Sequence, residues 1–282
     1  MKVAVLMTCF NRVETTLSCL AHLFRAAEGF DVSVYLNDDA STDGTGDRVK
    51  TAYPSVRVIR GSGHDYWCGG MRRAWSVAIA SGIAYDGYLW LNDDTYLRED
   101  AFKVLFSSPY LRDALLVGAT MSPYENRTTY AGRNAARHLV DPSGKWESVH
   151  TINGNFVWVP QSVFRVLGNF PAYFTHALGD FDYGYRAYSK GIRMYQMPSY
   201  AGICDDRKKI APWMDATVPF VRRLKNLYSP IGGPEPFVFF RYNLRHFGIV
   251  YAMRILFQQH IHVIFPRYWA FWKRRVRPRI VK

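Results

Sequence analysis

The sequence predicts an α/β fold built on a mostly parallel, Rossmann-like sheet flanked by helices, with a helical and basic C-terminal extension. Three observations predict it. Short apolar runs alternate with helix-like stretches through the first 120 residues, the mark of a largely parallel sheet with helical crossovers. The run Gly87-Tyr-Leu-Trp-Leu91 is apolar throughout, as a buried strand should be. Each run ends in a polar or Gly-rich segment: Thr8-Cys-Phe-Asn11, Asn37-Asp38-Asp39, Gly61-Ser-Gly63 and Asp93-Asp94. In an open α/β sheet, function gathers at these carboxyl ends, so several loops converge on one rim.

Taken in order, the strands are expected at 3–7, 32–36, 56–60, 87–92 and 116–120, and the helices at 13–28, 45–52, 70–84 and 98–107. Val3-Ala-Val-Leu-Met7 is too short for a signal-peptide core and reads as the first strand. Leu17, Leu20, Leu23 and Phe24 give the first helix its apolar stripe. Gly44 allows a tight entry into the helix at 45–52. Polar, Gly- and Asn-rich segments from about 121 to 152 read as hairpins and loops. Val157-Trp-Val159 then reads as a strand, Pro160-Gln161 opens a short helix to Leu167, and 179–190 is helical. From Phe237 to Phe265 the chain is strongly apolar, but Arg241, Arg245 and Arg254 interrupt it. It lacks the roughly 18 uninterrupted apolar residues of a spanning helix. One or two helices lying on a membrane, or packed on the body, fit better.

The charge is uneven. Of a formal +13 over 282 residues, almost all lies beyond Pro219: Arg222, Arg223, Lys225, Arg241, Arg245, Arg254, Arg267, Lys273, Arg274, Arg275, Arg277, Arg279 and Lys282 face one acid, Glu235. A nearly neutral body thus carries a basic, aromatic-rich appendage that favours a polyanion. The division expected is a domain at 1–218, with halves at 1–120 and 121–218, and an extension at 219–282. Cys9, Cys19, Cys68 and Cys204 are scattered without a Cys-x-x-Cys pair, which argues for a reducing compartment and no disulfide framework.

The densest chemistry is Asn92-Asp93-Asp94-Thr95, directly after the apolar run. Two adjacent carboxylates repel and gain nothing from a dry strand end. A divalent cation with oxygen ligands removes the conflict, and Mg2+ or Mn2+ commonly shares such carboxylates with a nucleotide diphosphate. Helix capping is the alternative use of the same residues.

The motifs resemble, in order, those of the inverting family 2 glycosyltransferases of GT-A fold. Asn37-Asp38-Asp39-Ala-Ser-Thr-Asp43-Gly44-Thr45 is similar to the family's Asp-Asp-Gly-Ser-Thr-Asp-Gly-Thr segment. Thr8-Cys-Phe10-Asn11-Arg12 resembles its first strand-to-helix turn, and Gly69-Gly70-Met71-Arg72 its loop after strand three. Asn92-Asp93-Asp94 resembles its metal motif, and Gly154-Asn155 with Val157-Trp158-Val-Pro160 the acceptor-side segment. Gly179-Asp180-Phe-Asp182-Tyr-Gly-Tyr-Arg186 resembles the Glu-Asp-x-Asp-x-x-x-Arg motif of the catalytic base. The match spans roughly residues 1–205.

The resemblance implies a site. Thr8, Phe10, Asn11, Arg12, Asp38, Asp39, Arg72 and Asp93 would bind the nucleotide-sugar, with Arg72 reaching its diphosphate. Asp94, with Asp93, would hold Mn2+ or Mg2+. Asp180 would be the base, with Asp182 its rival, and Asn155, Trp158, His176 and Asp182 would line the acceptor side. Tyr66, Trp67, Tyr173 and Phe174 are candidates for stacking on sugar or base, core packing being the other use of such aromatics and the favoured one for Trp158. Gly179 stands where the family has Glu. Cys204 stands near the position of a family metal-ligand His, and a buried thiol suits that residue better than ligation of a hard cation. Inverting transfer needs one base for the acceptor hydroxyl, and no acid when the leaving group is a nucleotide diphosphate. The expected partners are a nucleotide-sugar donor, a glycan or lipid-diphosphate-linked acceptor and an anionic membrane surface, at the inner face of the cell membrane. O-antigen or capsule assembly is the implied setting, with rhamnosyltransferases among the similar members. A nucleotidyltransferase would instead carry a Gly-rich, basic loop near the first strand, which Thr8-Cys-Phe-Asn11 is not. A nucleic-acid-binding module would use the basic tail with stacking aromatics, and no nucleic acid is expected.

Overall fold

A computed structural model describes residues 1–206, 211–233 and 235–267. The chain forms two compact units, one of residues 1–175 with 179–206, the other of 176–178 with the segment after 206.

The first unit holds one ten-stranded sheet. Its elements begin with β1 (Lys2–Cys9), α1 (Val13–Ala26), β2 (Asp31–Asp38), α2 (Thr45–Ala52), β3 (Arg57–Arg60) and α3 (Tyr66–Ala80). There follow β4 (Gly87–Leu91), β5 (Tyr96–Leu97), α4 (Ala101–Phe106), β6 (Leu115–Met121), β7 (Thr128–Tyr130), β8 (Glu147–Ser148) and β9 (Phe156–Pro160). The unit closes with α5 (Gln161–Leu167), α6 (Gly179–Ser189) and β10 (Met194–Ile203). The order across the sheet is β3-β2-β1-β4-β9-β6-β10-β5, with β7 on β6 and β8 on β10.

Through β3-β2-β1-β4 every pairing is parallel. Beyond it, β9 runs antiparallel to both β4 and β6, while β6 and β10 pair in parallel. The apolar runs explain the centre of the sheet: β1 is buried from Val3 to Cys9, and all of β4 and β9 is buried. Such strands need cover on both faces. Helix α1 supplies part of it through Thr16, Cys19, Leu20, Leu23 and Ala26, one face at three- and four-residue spacing.

Helix α3 begins at Tyr66, four residues before the start expected at 70, so the whole Gly69-Gly70-Met71-Arg72 segment that resembles a loop after strand three lies inside it. Packing explains the glycine. A Cβ on Gly70 would collide with Thr8 Oγ1 and lie 2.8 Å from Asn37 Nδ2, so its absence lets α3 press onto β1 and β2. An aromatic cluster then fixes α3, β4 and α6 to one another. Trp90 lies 5.0 Å from Tyr183 and 4.8 Å from Phe170, and Trp75 lies 5.6 Å from Trp90.

The second unit contains α7 (Phe220–Leu227), α8 (Pro236–Phe247) and α9 (Ile249–Ile264). Gly248, at φ 84°, breaks the chain between α8 and α9. The buried Arg223 guanidinium donates to the carbonyls of Val218 and Val263, which ties α7 to the end of α9. Trp213 donates from its indole to the Gly232 carbonyl at 2.7 Å.

Candidate active site

The rim of the sheet is assembled from loops that hold one another. Asn11 adopts φ 50°, and its Oδ1 accepts from the Thr42 amide at 2.8 Å. Asp43 Oδ2 accepts from the Val13 amide and Thr45 Oγ1 from the Arg12 amide, at 3.2 and 3.3 Å. The Ser41–Thr45 segment therefore caps α1 from outside, and α1's own entry, Arg12, contributes no side-chain cap. This orients Arg12 toward the end of β4.

There the two acids meet a cation from the chain itself. Arg12 Nη1 lies 3.1 Å from Asp93 Oδ1 and 3.0 Å from Asp94 Oδ2. Thr16 Oγ1 donates to Asp93 Oδ2 at 3.4 Å, and the Cys19 thiol donates to the Asn92 and Thr95 carbonyls, which fastens the turn to α1. Burial, reinforced by Asp94 and opposed by Arg12, pushes Asp93 up to about 7. The buried Asp93 and the partly exposed Asp94 thus share one half-exposed guanidinium.

The turn connects to the acceptor-side segment. The Asn92 amide donates to the Asn155 carbonyl at 3.1 Å, and Trp67 Nε1 donates to Asn92 Oδ1 at 2.7 Å. Asn155 Nδ2 contacts Cys204 Sγ at 3.3 Å, and that sulfur lies 3.6 Å from Asp94 Oδ1. One residue back, the Gly154 amide donates to Asp180 Oδ2 at 2.9 Å, and Asn153 Nδ2 donates to the same oxygen at 3.0 Å. A Cβ on Gly154 would lie 2.6 Å from the Trp67 ring and 3.3 Å from Asp180 Cβ. The 153–155 segment is therefore the shared wall between Asp94 and Asp180.

Asp180 and Asp182 have different environments. Asp180, at the start of α6, accepts from the neutral donors Gly154, Asn153 and the Phe181 amide. Its burial outweighs these bonds and raises its pKa above the usual carboxylate range. Asp182 is fully buried and accepts from Arg186 Nε at 2.8 Å, while Arg186 also donates to the Leu167 carbonyl. Gly179 is explained by space, since a Cβ there would run into Cys68 Sγ and lie 3.3 Å from Phe170. The Glu of the related motif does not fit this packing.

Several expected donor-side residues also have partners within the chain. Asp39 is buried, and its carboxylate accepts from the amides of Gly63, Asp65 and Tyr66, at 2.8, 3.1 and 2.8 Å. It organises the loop before α3. Arg72, expected at the diphosphate, donates through Nη1 to the carbonyls of Phe174 and Pro171 at 2.9 and 3.3 Å. Asp38 Oδ1 accepts from the Ser41 amide, Thr8 is buried against Asn37, and Phe10 is exposed on the rim. Trp158 lies in the sheet core rather than on the acceptor side, because its indole donates to the Leu111 carbonyl at 2.7 Å and its ring abuts Phe106. His176 falls in the short segment grouped with the second unit, and burial lowers its pKa. The structure thus brings Arg12, Asp93, Asp94, Asn155 and Asp180 around one wall. It also reveals Trp67, Asn153 and Gly154 as the residues that build it. Gly154 and Trp67 stand out in sequence, but the bond from Trp67 to Asn92 joins distant segments and leaves no sequence signal.

Among the described residues no group of three or more His, Cys, Asp or Glu is arranged to hold a metal. Asp93 and Asp94 nevertheless fit a hard cation that takes its remaining oxygens from a diphosphate. They are adjacent carboxylates, and one positive group already bridges both.

The fold is that of the GT-A glycosyltransferases. The Glycosyl transferase family 2 profile matches residues 4–175, and the chain belongs to that family. The mannosyltransferase PcManGT from Pyrobaculum calidifontis is similar in fold, with a TM-score of 0.51 at 15% identity, covering 92% of this chain and 73% of that one. S. aureus TarS 1-349 gives 0.54 at 14% identity, over 94% and 72% of the two chains. GalNAc-T7 gives 0.52 at 12% identity, over 70% of this chain and 42% of the other. No curated protein matches the chain in sequence.

Proposed function

We propose that this chain is an inverting, metal-dependent hexosyltransferase. It moves one sugar from a nucleotide-sugar to a glycan, or to a glycan on a lipid diphosphate, in surface polysaccharide assembly such as O-antigen or capsule. The observation that carries the reading is the placing of Asp180. It is a buried carboxylate held by the neutral donors Gly154, Asn153 and Phe181, raised in pKa, on the same wall as the Asp93-Asp94 turn. A base needs a pKa above that of an ordinary acid and a position across from the leaving group. Asp180 takes the proton of the acceptor hydroxyl as its oxygen attacks the anomeric carbon. The bond from that carbon to the diphosphate breaks, and the configuration inverts.

Asp94, with Asp93, would hold Mn2+ or Mg2+, which when bound supplies positive charge to the departing diphosphate. Arg12 lies at the same turn and adds a fixed cation there. Two structural relatives agree with this choice of donor and metal: PcManGT was solved with GDP-Man and Mn2+, and GalNAc-T7 with UDP, GalNAc and Mn2+. Residues 1–218 are assigned to catalysis and 219–282 to an anionic membrane surface at its cytoplasmic side, on the strength of the tail's charge. No helix among the described residues is long and apolar enough to cross a membrane.

The test is a panel of nucleotide-sugars incubated with Mn2+, with release of the nucleotide diphosphate as readout. One donor should be turned over by the parent and by neither Asp94→Ala nor parent in EDTA. Equal turnover of that donor by all three would overturn the metal-dependent reading.

A further inference from the structure

Helix α9 has two unlike sides. Ala252, Gln259, His262 and Val263 are buried. Val250, Met253, Phe257, Ile261 and Ile264 are exposed, by 81, 39, 60, 42 and 51%. Their spacings are three, four, four and three residues, so at 100° per residue all five fall within an arc of about 80°. The arc is a continuous apolar stripe about 21 Å long. Single exposed apolar residues need no explanation, but a stripe of this length does.

The charges of the same unit choose the partner. Arg222, Lys225, Arg241, Arg245, Arg254 and Arg267 are exposed, and Asp215 and Glu235 are the only acids among its described residues after 206. The sequence after residue 267 adds six cations and no acid. A second copy of this chain would bring the same positive charge to the interface and be repelled. A surface that is anionic outside and apolar beneath satisfies both features. Helix α9 is too short to span a bilayer, so it would lie in the plane of the interface.

We propose that the stripe Val250, Met253, Phe257, Ile261 and Ile264 is the face of this chain that enters an anionic lipid surface. The proposal rests on the reading of the basic C-terminal region as membrane-facing and supplies the residues that do the work.

The test uses the full chain and cosedimentation with phosphatidylcholine vesicles, with and without phosphatidylglycerol. The parent should bind only the anionic vesicles. Phe257→Glu combined with Ile261→Glu should weaken that binding about a hundredfold or more, with the helical circular dichroism signal and Tm of the parent retained. Tyr124→Glu, at a residue 62% exposed in the other unit, should bind like the parent. All four native cysteines are buried, so Phe257→Cys can carry an environment-sensitive dye selectively. Its emission should shift to the blue on anionic vesicles, which keeps the question open to measurement if the double variant does not fold. A parent that binds no vesicles overturns both the membrane reading and the stripe. A parent that binds while the double variant binds equally well, or while the dye does not shift, overturns the stripe alone. So does a parent dimer in light scattering that the double variant converts to monomer with vesicle binding unchanged.

Discussion

Asp180 and Asp182 are two residues apart, and replacing each by Asn should damage different properties. Asp182 sits fully buried against Arg186, whose side chain is 12% exposed. Removing the charge leaves the guanidinium buried against the Leu167 carbonyl and a neutral amide oxygen. Breaking a buried pair costs about 3–5 kcal/mol, and the retained acceptor puts Asp182→Asn at the low end, about 3 kcal/mol. For a chain of this size that lowers Tm by roughly 6–12 °C. Asp180→Asn is the reverse case. The amide oxygen can keep the bonds from Gly154 and Asn153, and the amide nitrogen loses the bond from Phe181, a cost of about 1 kcal/mol. Relief from burying a charge offsets that cost, so Tm should stay close to the parent's. Transfer should fall by about 10²–10⁴-fold, because an amide cannot take the proton. Thermal melts and donor turnover with acceptor, run on both variants, settle the roles. An active Asp180→Asn beside a dead Asp182→Asn of unchanged Tm would refute the assignment.

Other perturbations follow from the same geometry. The raised pKa of Asp180 places the acid limb of the transfer rate above the ordinary carboxylate range near 4. The native state holds that proton more tightly than the unfolded chain. Its contribution to stability is therefore lost as pH rises from the unfolded to the folded value, and Asp180→Asn should remove that loss in melts across pH. Asp94→Ala should abolish turnover and weaken donor binding measured by calorimetry in Mn2+, and EDTA should do the same to the parent. Arg12→Ala leaves two adjacent carboxylates without their bridge. Arg12 is half exposed, so the cost is only about 1 kcal/mol, and Mn2+ should raise the variant's Tm more than the parent's. Gly154→Ala drives a methyl into the Trp67 ring, costs about 1–3 kcal/mol, and should reduce kcat more than its loss of folded protein explains.

The sequence made the elements legible where the cause is local. The stripe Leu17, Leu20, Leu23 places α1, and Pro160-Gln161 places the start of α5 to the residue. The polar rim was legible too, since carboxylates after an apolar strand have few uses. What stayed hidden depends on distance. The partners that Asp39 and Arg72 find within the chain, the amides of residues 63, 65 and 66 and the carbonyls of 171 and 174, exist only after folding. Gly179 reads as a departure from a motif until Cys68 is seen against it. Trp158 is apolar and aromatic in any context, and its antiparallel partners fix it in the core.

The place of β9 has a consequence for how the protein can be made. Strands β4 and β6 both precede it in the chain, yet β9 lies between them and pairs with each. On a ribosome, a nascent chain that has emerged only as far as Met121 carries two apolar strands whose shared neighbour is not yet synthesised. Their open edges are templates for pairing with other chains. Closure of the sheet waits for Pro160, and the Asn92 amide finds the Asn155 carbonyl no earlier. Donor half and acceptor half are therefore not separable by cutting the gene at their apparent boundary. A fragment that stops short of β9 should need chaperone protection, whereas one that includes it has a closed sheet centre from which the rest of the first unit can fold.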